Sequence, residues 1–120
     1  MYAVVKIGAA EVPMQAMAST DLYYRTIFHE DPIRLQTSPA FDDAARIEFT
    51  MRMGFVMAEF AALRSRQAMC ALNEDAYLDW MDQFERSDLW DALPDILSVY
   101  EGQFPADVDA KKKDDASTEA

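Results

Sequence analysis

Apolar and polar residues along the 120-residue chain change period several times, and each change marks an element. The opening "YAVVKIG" alternates weakly and is rich in Val and Ile, which predicts a short strand at about 2–7. Gly8 offers a turn, and "EVPMQ" fits a returning strand. Pro13 has no N–H for a ladder, so it must sit at an edge or an end.

Helical spacing follows. In "STDLYYRTIF" Ser19 or Thr20 can cap a helix, with Leu22, Tyr23, Thr26 and Ile27 along it. "HEDPIRLQTSP" breaks the pattern at Pro32 and Pro39, with room for a short helical turn from Pro32. The longest predicted helix spans about 39–72, with Ser38 as cap, Pro39 at its first position and Asp42 and Asp43 in its first turn. Its polar stripe is narrow: Glu48, Arg52, Glu59 and Arg66, with Glu48 and Arg52 spaced to pair. A helix so apolar around its circumference is covered on several sides, by its own chain or by a partner.

Asn73 caps a further helix that sets Tyr77, Trp80, Met81 and Phe84 on one face. Ser87 starts the last helix, where Leu89, Leu93, Ile96, Leu97 and Tyr100 align. Pro94 kinks or restarts it, and Gly102 stops it. The pattern predicts a mainly α (α+β) domain over 1–102: a short N-terminal strand or hairpin, then a bundle of about four helices. Residues 103–120 lose all periodicity and read as a disordered polar tail.

Charge changes the picture. The formal net charge is −11, and it is unevenly spread. Residues 73–102 carry nine acids against Arg86 alone, while 1–72 are close to neutral with eight acids and seven bases. Such a surface repels phosphate backbones, which argues against nucleic-acid binding. No run of about 18 apolar residues occurs, so no membrane span is expected. "MYAVVKIGAAEVPMQ" lacks the basic start and apolar centre of a signal peptide, and the lone Cys70 fits a reducing compartment. Within "QAMCAL" that cysteine reads as a small buried hydrophobe.

Catalytic candidates are few. His29 lies beside Glu30 and Asp31, but adjacent residues seldom converge on one metal and no second histidine supports them. A capping or turn role fits that segment better, and no cofactor or metal is expected. Asp75, Asp79, Asp82 and Glu85 trace a solvated helix face. With only Gly8, Gly54 and Gly102, no glycine-rich phosphate cradle exists. Non-covalent binding is the better reading. Eight methionines suit surfaces that accept varied apolar segments. Met51, Phe55, Met57 and Trp80 are the candidate partner-binding residues, although for any single Met, and for Trp80 and Trp90, core packing is the stronger expectation.

The order of these segments, with "YRTIFHEDP", "GFVMAEFAAL", "YLDWMDQFE" and "DILSVYEGQ", resembles the tail assembly chaperones of long-tailed bacteriophages and prophages. The similarity covers about residues 3–103. It implies a small cytoplasmic protein that coats the tape measure protein during tail assembly and is absent from the finished virion. It also implies self-association. The alternative is an intracellular adaptor or antitoxin-like regulator.

Many members of that family have a second, longer form made by a −1 ribosomal frameshift, whose extension is implied to recruit tail tube subunits. Lys111, Lys112 and Lys113 stand where such a site would belong, because consecutive Lys codons can form a slippery run. Intact mass spectrometry on products of the native gene with its downstream DNA checks this. The expected result is a second species sharing residues 1 to about 112 before diverging.

Overall fold

The computed structural model describes residues 1–104. The predicted tail beyond that point, with Lys111–Lys113, lies outside the described residues. Strands β1 (Tyr2–Ile7) and β2 (Ala10–Gln15) pair antiparallel across a two-residue turn. Gly8 takes φ 63° at the first turn position while Ala9 does not turn positive, the pattern of a type II′ hairpin. The turn is also crowded: a Cβ on Gly8 would stand 2.8 Å from the Asp88 carboxyl carbon.

Met1 and Ala16 exchange backbone hydrogen bonds in both directions. The ladder therefore alternates so that Ala3–Met14, Val5–Val12 and Ile7–Ala10 are the bonded pairs. The backbone groups of Tyr2, Val4 and Lys6 point away from β2, and those of Glu11, Pro13 and Gln15 point away from β1. Pro13 thus sits where an N–H would have served no partner, so it costs the hairpin nothing. Ala3, Val5, Ile7 and Met14 are buried beneath the hairpin.

Helix α1 (Thr20–Phe28) buries Thr20, Tyr23, Tyr24, Ile27 and Phe28. The predicted stripe was one residue out of phase: Leu22 is exposed and Tyr24 is fully buried. Thr20 Oγ1 accepts the Met17 N–H at 2.7 Å, anchoring the first turn inward. His29 ends the helix in the left-handed conformation, φ 57°, its N–H donating to the Arg25 carbonyl at 2.8 Å. Helix α2 (Pro32–Thr37) is the short turn allowed by Pro32, capped by the Asp31 carboxylate on the N–H groups of Ile33 and Arg34.

The long helix is shorter than its pattern. Ser38 ends α2, and α3 runs Asp43–Leu63 with the Asp42 carboxylate accepting the Ala45 N–H at 2.9 Å. Arg64, at φ 51°, stops it. Ser65 then caps a separate α4 (Arg66–Cys70) through the Ala68 N–H. Ser65 is an N-cap residue inside an apolar pattern, and it breaks what periodicity alone would continue. In so short a helix only Met69 turns fully inward; Cys70 is exposed, contrary to the buried position expected.

Asn73 caps α5 (Glu74–Met81) as predicted, through the Ala76 N–H. Helix α6 (Arg86–Tyr100) begins after Glu85, ahead of Ser87, and passes through Pro94 as one element. It buries Leu89, Ala92, Leu93, Ile96 and Val99 and closes at Gly102, with Gln103 N–H on the Ser98 carbonyl and Gly102 N–H on that of Val99. Phe104 is buried beyond that stop, so the packed domain reaches past 102. Trp90, expected in the core, is 45% exposed, with the Arg86 guanidinium 6.0 Å from its ring. The two helices beyond the expected four are α2 and α4, of six and five residues. No helix among the described residues is long and apolar enough to cross a membrane.

Helix α3 is the hub: β2, α6, α1, α4 and α5 all pack on it. Neighbours crowd it at Gly54, where a Cβ would meet Ile96 Cγ2 at 3.1 Å and Trp80 Cη2 at 3.4 Å. Ile96 is fully buried and has little room to yield. Gly54→Val is therefore expected to lower the unfolding free energy by about 1–3 kcal/mol in urea titration, although Val is the better helix former.

Candidate functional site

Three of the four residues singled out for partner binding are interior. Phe55 and Met57 are fully buried and Trp80 is 5% exposed. The Phe55 ring meets Phe28, Tyr77 and Trp80 edge-on at 6.2, 5.6 and 6.0 Å. Met51 alone reaches the surface, half-buried against the core. Helix α3 spends its apolar circumference on the chain's own elements, so Phe55 and Met57 offer no surface to a partner in this fold.

A groove remains between β2, the C-terminal half of α3 and the end of α5, with a volume of about 340 Å³. Pro13 and Val12 form the β2 wall, Ala58 and Ala62 the α3 wall, and Trp80 and Phe84 close the α5 end. Small alanines leave space beside the strand. Trp80 and Phe84 stand edge to face, 5.2 Å between centroids at 74°. Trp80 thus belongs to the core and shows one edge to this groove, the one candidate residue that does so.

Two acids rim the apolar lining: Glu11 from β2 and Glu59 from α3. Burial raises the Glu59 pKa above the usual glutamate value. Among the described residues neither carboxylate has an ion-pair partner. An apolar groove with unneutralised carboxylates at its rim suits an apolar segment that carries Lys or Arg, since an approaching cation removes the desolvation cost. The outward carbonyls of Glu11 and Pro13 add acceptors along the β2 wall.

A second polar cluster has a different role. Arg52 pairs with Glu48 and with Glu30, the latter at 3.4 Å, and its guanidinium lies 4.9 Å from the Phe28 ring. Tyr24 donates to Glu30 at 3.3 Å, and burial drives its phenol well above the ordinary range. Desolvation opposes the Arg52 charge, but Tyr24, Glu48 and Glu30 outweigh it and raise its pKa. These contacts pin the α1–α2 turn to α3 around a cavity of about 140 Å³. They join three elements of the fold and converge on no reactive group. His29 stays exposed at its helix end, and among the described residues no three His, Cys, Asp or Glu side chains cluster as metal ligands.

The sequence hid the groove because its walls come from three separate elements. The one local signal was Glu59, an acid inside the apolar run "VMAEFAAL". Because the ionised form pays for burial, Glu59→Gln is expected to raise the melting temperature at neutral pH. A raised carboxyl pKa favours the folded state only while the group is protonated. The gain from Glu59→Gln therefore shrinks as pH falls through the carboxylate range, a dependence that thermal melts across pH read directly.

In comparisons with family models, curated proteins and solved structures, the chain matches none. What the groove does is read from its own residues.

Proposed function

We propose that this protein is a tail assembly chaperone of a long-tailed phage or prophage. It holds the tape measure protein soluble in the host cytoplasm while the tail is built, and it leaves before the virion is complete. The observation that carries the reading is the acid-rimmed apolar groove between β2, α3 and α5. A holdase needs apolar contact without a reactive centre, and it needs charge to keep a sticky client dispersed. The groove answers the first need. The acids on and between α5 and α6 answer the second: Asp75, Asp79, Asp82, Glu85, Asp91 and Asp95 are all exposed. The resemblance over residues 3–103 supplies the kind of client. A longer form recruiting tail tube protein belongs to the same reading.

Client helices enter the groove by their apolar face and place a basic side chain against Glu59 and Glu11. Attraction of that kind weakens with salt, while the apolar contact does not. Co-expression with a tape measure protein tests the reading. The full chain is expected to carry the client into the soluble fraction. The double substitution Glu11→Gln and Glu59→Lys should leave the chaperone folded by circular dichroism yet return most of the client to the pellet. A client equally insoluble with and without the wild-type chain overturns the assignment.

A further inference from the structure

The two outer edges of the hairpin are not alike. On β2 the central outward position is Pro13, which has no N–H, and Glu11 stands beside it. On β1 the outward backbone groups belong to Tyr2, Val4 and Lys6. Among the described residues no further strand pairs with them. Tyr2 is 48% and Val4 38% exposed. The strand reads "YAVVKI", without proline and rich in residues that favour sheets. Only Lys6 guards it.

We propose that β1 pairs antiparallel with β1 of a second copy, joining the two hairpins into one four-stranded sheet about a two-fold axis at Val4. This proposal stands independently of the client-binding reading. The register follows from the backbone. Outward N–H and C=O groups occur only at even positions, so bonded pairs across the axis must join even residues. Centring on Val4 uses all three: Tyr2 with Lys6 of the second copy, Val4 with Val4, and Lys6 with Tyr2, each pair exchanging two hydrogen bonds. Centring on Ala3 or Val5 leaves one of the three unpaired. Centring on Lys6 sets two ammonium groups face to face.

The side chains agree with that register. Within one hairpin Lys6 already lies opposite Glu11, Val4 opposite Pro13 and Tyr2 opposite Gln15. Across the joined sheet one outer row becomes Glu11, Lys6, Tyr2, Gln15, with the lysine between a carboxylate and an aromatic ring. The middle row is Pro13, Val4, Val4, Pro13, wholly apolar. The third row repeats the first in reverse. No like charges meet. On the inner face Ala3 lies opposite Val5, small against branched.

Sedimentation velocity of the full chain over a concentration series tests this. A monomer–dimer equilibrium is expected, and it strengthens with added salt because each copy carries net charge −11. Val4→Pro removes an N–H that points away from β2, so the hairpin keeps its ladder while dimer affinity falls by about tenfold or more. Tyr2→Lys sets lysines opposite one another and abolishes the dimer. Adding Lys6→Tyr to Tyr2→Lys restores it, because each lysine then faces an aromatic ring and no like charges meet. A wild-type chain that stays monomeric at every concentration and salt overturns the proposal. So does a dimer that Val4→Pro and Tyr2→Lys leave unchanged, or one that the double variant fails to restore.

Discussion

The need to cover α3 on every side organises the molecule. Met53, Gly54, Phe55, Val56, Met57 and Ala58 are buried in succession. Successive helical residues point about 100° apart, so six in a row exclude water from the full circumference. No single neighbour can do that. The hairpin covers one side, α6 another, and α1, α4 and α5 fill the remaining arcs. Gly54 lets α6 approach closely enough to seal its side. Where α3 does carry polar groups, at Glu48 and Arg52, it uses them to fasten the turn after α1.

That cover consumes most of the apolar surface and determines what remains. A two-stranded sheet has only edge strands, and here α3 packs beside β2 and α6 beside β1. The β2 edge opens on the groove beside the alanines of α3. The β1 edge opens on the far side of the hairpin. In the two proposals, client contact uses the β2 edge and self-pairing the β1 edge of the same small sheet. Each edge also carries its own safeguard against unwanted pairing: Pro13 and Glu11 on β2, Lys6 alone on β1.

Most element types were legible in the sequence, because the hairpin, α1, α5 and α6 each have a clear period and a cap or stop. Failures came where local chemistry overrode period. Ser65 and the left-handed Arg64 split one apolar run into α3 and α4, and Asp42 in place of Ser38 capped the long helix. Choosing which face was buried was harder, since Leu22 and Tyr24 are both apolar and only tertiary contact decides between them. The same limit explains the binding residues. Phe55 and Met57 looked available because a helix apolar all round can be sheathed by its own chain or by a partner, and periodicity cannot distinguish these. The groove was illegible for the converse reason: Val12, Ala62 and Phe84 are far apart in sequence and unremarkable in each element. Glu59 was its one local trace, and as a member of the polar stripe with Glu48 and Arg52 it read as an ordinary solvated acid.

Electrostatics then separates the two surfaces. Acids concentrated on and between α5 and α6 repel other copies of this chain and attract basic segments, so one charge distribution works against self-association and, on the proposed reading, for client capture. Screening reverses the balance: it weakens attraction at the Glu11–Glu59 rim and relieves repulsion between copies. On the proposed reading, a cationic client would neutralise acids as it binds and act on other copies as screening does. On those two proposals, occupied molecules would lose part of the repulsion that keeps β1 edges apart, so loading the groove would favour pairing at the opposite edge. Such a coupling would need no conformational change, only that both surfaces share one field.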